Sequence, residues 1–173
     1  MAVTTLESIE DKETERKDKS KIRSMIGRIY LQLGDVNAAS LCFSQASSIR
    51  DGGGGGSREA KIDQAFLCIA GNKFEEALSF LKEALKDDED DKAVIINNMS
   101  VCLLYMGKLE EALSLLESNL TANPQEFLRE TQVLNLATLY ELESSYANQK
   151  KQSLMDFMSR YSGDGASTAC LKF

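Results

Sequence analysis

The chain has 173 residues, 43% of them hydrophobic, and carries a net charge of −7 from 27 acidic and 20 basic residues. That acidic balance argues against nucleic-acid binding, which rests on clustered Lys and Arg, and the absence of histidine leaves general acid-base and nucleophilic constellations largely unavailable. One proline and few aromatics favour helices, and no run approaches the ~20 apolar residues that a membrane-spanning helix requires.

Residues 1–18 alternate acidic and basic side chains and read as a charged, weakly ordered lead-in, or as the end of a helix whose partner lies outside the chain. They contain no apolar region resembling a secretory signal, so a cytosolic chain is expected. A repeat region is predicted over 19–161 and a tail over 162–173. From Lys19 to Leu33, the residues Ile22, Met25, Ile26, Ile29, Tyr30 and Leu33 recur at spacings of three and four, which predicts one apolar helical face. Gly34 ends that helix, and Val36 to Ile49 gives its partner, with Ala39, Phe43 and Ala46 on one close-packing face. The connector 51–57 holds five consecutive glycines and reads as flexible, either natural or a replacement for a longer loop.

A second helix pair is predicted over 59–70 and 74–86, with Asn72 and Glu75 spaced as a capping box. The acidic run Asp87 to Asp91 lacks the glycine and spacing of an EF-hand loop and reads as a solvated turn. The third pair covers 93–106 and 109–120, followed by Asn123-Pro124-Gln125-Glu126, a cap, a first-turn Pro and a Glu at capping distance. A fourth pair, 127–142 and 147–161, has a polar last helix with Gln149, Lys150, Lys151 and Gln152, as expected of a terminal repeat that shields its end.

Three phrases mark the turns inside the first three pairs: Gly34-Asp35-Val36-Asn37-Ala38-Ala39, Gly71-Asn72-Lys73-Phe74-Glu75-Glu76-Ala77 and Gly107-Lys108-Leu109-Glu110-Glu111-Ala112. Their alanines are 38 and 35 residues apart, close to the period of about 34 of stacked helix-turn-helix repeats. The small-and-aromatic spacing resembles the tetratricopeptide repeat family: Gly27, Tyr30, Ala39, Phe43 and Ala46 in repeat one; Ala65, Ala77, Leu81 and Ala84 in repeat two; Ser100, Ala112, Leu116 and Pro124 in repeat three; Ala137 and Tyr140 in the last. Cys68 replaces an aromatic, and Asn119 stands where a second small residue is expected. The resemblance implies an all-α, right-handed superhelix of about four helix pairs that binds proteins.

The runs Ile26 to Asp35, Asn97 to Leu109 and Asn135 to Ser145, with the ending Cys170-Leu171-Lys172, are also similar to the C-terminal region of a longer family, subunit 12 of the trafficking protein particle (TRAPP) complex. That resemblance implies a non-catalytic scaffold partnered with other subunits of a vesicle-tethering complex, cytoplasmic and peripheral to ER–Golgi intermediate and Golgi membranes. It implies no cofactor, metal, nucleic acid, small-molecule substrate or direct membrane insertion. A general adaptor for peptide segments of other clients is the alternative.

Ligands of the repeat family lie along the first helix of each pair, which puts Ser24, Arg28 and Leu31, then Ile62, Phe66 and Ile69, then Asn97, Val101 and Leu104 on the expected binding face. The line is mostly apolar, so Arg28 and Asn97 make a poor clamp for a terminal carboxylate, and an apolar helix or loop of a partner subunit is the expected ligand. Cys42, Cys68, Cys102 and Cys170 are far apart, and three lie in apolar helical contexts, as buried thiols of a reducing compartment would. Asn98 and Asn119 match the glycosylation pattern by chance, within or at the end of predicted helices. Cys170 to Phe173 matches a prenylation box poorly; Leu171 and Phe173 are expected to fold back on the last helix.

Overall fold

A computed structural model describes residues 2–10, 16–51, 56–86, 92–143 and 146–161. The glycines 52–55, the whole acidic run Asp87–Asp91 and the tail 162–173 with Cys170, Leu171 and Phe173 lie outside these described residues. All regular structure among the described residues is helical, in two compact units, residues 1–88 and 89–173.

In the first unit, α1 (Ala2–Glu10) packs on α2 (Arg16–Gln32), which pairs with α3 (Val36–Asp51), and α4 (Arg58–Ala70) pairs with α5 (Phe74–Ala84). In the second, α6 (Lys92–Tyr105) pairs with α7 (Leu109–Ala122), and after the short α8 (Pro124–Phe127), α9 (Glu130–Glu143) packs against α7 and α10 (Ala147–Tyr161). The all-α repeat architecture is as the spacing predicts.

The repeated phrase is one backbone device. Gly34, Asn72 and Gly107 sit at φ +81°, +57° and +75°, each five residues before a fully buried alanine: Ala39, Ala77 or Ala112. In each turn the residue after the left-handed one donates to a carbonyl five residues back: Asp35 to Tyr30 (2.9 Å), Lys73 to Cys68 (2.8 Å) and Lys108 to Leu103 (2.9 Å). This double-bonded helix ending satisfies carbonyls that the helix leaves open and turns the chain sharply. In repeat two the left-handed place belongs to Asn72, since Gly71 keeps φ −88°.

The turn delivers small residues to the crossings. Gly27 is buried on α2, where an added Cβ would lie 2.5 Å from Cε1 of Phe43 on α3, so only glycine lets that ring seat. Ala46, Ala65 and Ala84 are fully buried, Phe43 and Leu81 are buried too, and Tyr30 is half-buried. In the second unit Ser100, Ala112, Ala137 and Tyr140 are buried with Cys102, Leu116, Phe127, Val133 and Leu136, whereas Pro124 starts α8 at half exposure. Asn119 folds its side-chain amide onto the Leu115 carbonyl (2.7 Å), and Asn98 does the same to Val94 (2.8 Å), so both glycosylation matches lie inside helices.

Several local expectations are corrected. Residues 2–10, within the lead-in read as weakly ordered or as a helix end whose partner lies outside the chain, are helical and have a partner inside it: the guanidinium of Arg23 fastens α1 to α2 by pairing with the buried Glu10 (2.6 Å). The Asn72–Glu75 capping box does not form: the N-cap of α5 is Lys73, without a side-chain hydrogen bond, because Asn72 is committed to ending the helix before it. The helix expected over 127–142 breaks at Leu128, leaving the four-residue α8 and a fresh start at Glu130. Two pulls account for the break: Phe127 is drawn into the core at 2% exposure, and the Glu126 carboxylate accepts from the Ala93 amide (3.2 Å), capping α6 instead of its own helix. Lys151, expected on a shielding polar face, is buried at 3% exposure and paired with Glu141, while Gln149 and Gln152 are exposed.

Candidate protein-interaction site

The expected binding face of the first unit is built by α2 and α4. Arg28 projects from α2 with its side chain 43% exposed, and its guanidinium lies 5.0 Å from the centre of the Phe66 ring on α4. Leu31 and Ile69 flank it half-buried, while Ile62 is buried at 8% exposure and serves the packing more than the surface. Beneath Arg28 lies Asp63, 1% exposed, whose Oδ2 accepts from Ser24 Oγ (2.6 Å) and from the Arg50 guanidinium (3.0 Å). Arg50, on α3, also donates to Ser24 (2.6 Å), Ser20 (3.3 Å) and Ser57 (3.4 Å), so one side chain ties α2, α3 and the start of α4 together. Asp63 Oδ1 is buried without a hydrogen bond, facing an Arg28 nitrogen at 3.7 Å.

In the second unit the equivalent face runs along α6 and α9. Val101 and Leu104 are half-buried, but Asn97 is 7% exposed and its Oδ1 accepts from Asn135 on α9 (2.9 Å). Its amide is therefore a strut between helices, and Arg28 is left as the one expected polar contact reaching solvent. Tyr105 on α6 and Leu134 and Leu142 on α9 are further exposed apolar side chains of these two helices, at 67%, 47% and 57% exposure, that the sequence reading did not single out. A separate open cleft of about 610 Å³ lies between α7, α9 and α10, lined by Glu117, Leu120, Tyr140, Tyr146, Lys150 and Phe157. Burial pushes the Tyr140 hydroxyl well above its ordinary range, and the neighbouring Glu117 carboxylate adds to the shift.

Burial also raises the Cys42 and Cys68 thiols, with Glu76 adding to the effect at Cys68, so neither is an activated nucleophile. Among the described residues Cys42, Cys68 and Cys102 form no disulfide. Among the described residues no helix is long and apolar enough to cross a membrane.

Profiles described as tetratricopeptide repeat match residues 20–51 and 69–129. The chain belongs to the tetratricopeptide repeat family. It is also 40% identical over 158 residues to mouse trafficking protein particle complex subunit 12 and 39% identical to the human protein, in each case over 90% of this chain. The match covers 20% and 21% of those relatives, so the chain spans about a fifth of their length.

Within a tetratricopeptide repeat the paired acids have a structural place. Glu75–Glu76 and Glu110–Glu111 occupy the first turns of α5 and α7, where carboxylates complement the helix dipole, and Lys73–Glu76 and Lys108–Glu111 form matching surface pairs at 3.7 Å. The Asp63–Arg50 network is what residue patterns missed. Its one sequence signal is an acid three residues after Ala60 and four before Leu67, inside the register of the apolar stripe.

Proposed function

We propose that this chain is a non-catalytic scaffold in a TRAPP-type vesicle-tethering complex, and that the α2–α4 and α6–α9 faces seat segments of other subunits. The observation that carries this reading is the identity over 90% of the chain to subunit 12 of that complex, together with repeats whose helix faces leave apolar side chains open. Arg28, Leu31, Phe66 and Ile69 would supply contacts on one face, and Val101, Leu104, Tyr105, Leu134 and Leu142 on the other. Ile62 and Asn97 would act by holding those faces in shape. The complex would bring the chain to ER–Golgi intermediate and Golgi membranes.

Asn97 is withdrawn by burial at 7% exposure, so among the described residues of the expected face Arg28 stands without a second converging donor for a peptide's terminal carboxylate, which favours subunit segments over clients of a chaperone-type adaptor. The test is affinity capture with the chain as bait, quantified by mass spectrometry beside Phe66→Asp and Val101→Asp. Tethering-complex subunits should be enriched by the wild type and lost in variants that keep their helicity and melting temperature. Recovery of chaperones or scattered clients in place of those subunits would refute the reading.

A further inference from the structure

We infer that Arg28 is the polar anchor of the α2–α4 face and takes a side-chain carboxylate, an internal Asp or Glu flanked by apolar residues, from the segment that docks there. The inference rests on the docking role proposed above and adds the chemistry of the ligand. Two guanidiniums, Arg28 and Arg50, share one carboxylate, Asp63. Arg50 is 9% exposed and spends its donors on Asp63 Oδ2 and three serine hydroxyls. Arg28 receives what remains: Oδ1 at 3.7 Å, beyond hydrogen-bond distance, and the face of Phe66.

Its planar fork is thus held by a ring and a buried charge while its N–H groups stay uncommitted. Such a pre-set guanidinium loses little side-chain freedom on binding, and it matches a carboxylate in geometry and charge. The surroundings set the rest of the ligand. Leu31, Phe66 and Ile69 offer apolar contact within reach of Arg28, so an acid standing among apolar side chains satisfies both parts of the surface. A basic segment would meet the excess positive charge of the Arg28–Arg50–Asp63 cluster, and a wholly apolar one would strip water from Arg28 without replacing it.

The experiment uses the full chain with the remaining subunits of the tethering complex, a photo-crosslinking residue at Leu31, and the variants R28Q, R28K and R28E. The crosslinked segment should carry Asp or Glu within one helical turn of the labelled site. R28Q should weaken binding by about tenfold, the loss of one charge-assisted hydrogen bond, and R28K should retain part of it. R28E should abolish binding until the partner's acid is changed to Lys, a rescue that loss of folding could not show. Unaltered binding by R28Q, or a crosslinked segment without an acid, overturns the inference and leaves the docking role standing. Failure of the wild-type chain to associate with those subunits overturns both.

Discussion

The two units solve one problem with different chemistry. Both must fix successive helix pairs against each other, yet the first does so through a buried ionic network of Arg50, Asp63 and Ser24, and the second through a neutral amide pair, Asn97–Asn135, amid apolar contacts. A buried ion pair recovers its desolvation cost only when its geometry is good and its remaining polar atoms are satisfied. In the first unit three serine hydroxyls provide for Arg50, and the leftover oxygen of Asp63 falls to Arg28 at the surface. The joint that holds the repeats thereby also positions Arg28, the side chain proposed to meet a partner. In the second unit the polar strut is self-contained, and its exposed face is apolar. A repeat fold therefore constrains the crossing geometry but leaves open whether a joint is structural only or shared with a binding surface.

The contrast is broken most severely at Asp63. Asp63→Asn leaves Arg50 buried without its countercharge and should cost about 3–5 kcal/mol, seen in urea unfolding and in faster amide exchange across α2–α4. Replacing both partners, Arg50→Met with Asp63→Leu, should recover most of that loss, because no uncompensated charge remains. Should the double variant be as unstable as the single one, the network would be indispensable in itself and not merely intolerant of being half removed. Gly27→Ala places a methyl against the Phe43 ring and should cost about 1–3 kcal/mol by overpacking, read as a lowered melting temperature with helicity retained. The smallest effect belongs to the second unit: Asn135→Ala removes one neutral hydrogen bond from Asn97 and should cost about 1 kcal/mol. An Asn135 effect as large as that of Asp63 would erase the distinction between the joints.

The sequence by itself determined the repeat. A left-handed residue that ends each first helix and a small residue five positions later are requirements of local backbone sterics and close helix crossing, and they leave their mark at Gly34 and Ala39 and at Gly107 and Ala112. Helix boundaries from α2 onward followed from the same periodicity to within a few residues, apart from the break at Leu128, while α1 was not delimited by it. On the expected binding face, the positions of Arg28, Phe66, Val101 and Leu104 came from counting off those alanines. The tertiary structure alone decided what each polar side chain does there. Glu126 caps a helix 33 residues away in the chain, Asn97 is bound by Asn135, Lys151 turns inward to Glu141, and Asp63 draws Arg50 and Arg28 to one point. Periodicity records which face of a helix is buried, because burial acts residue by residue along one element. The partner of a buried charge or amide is chosen across elements, by distances that exist only once the helices have packed.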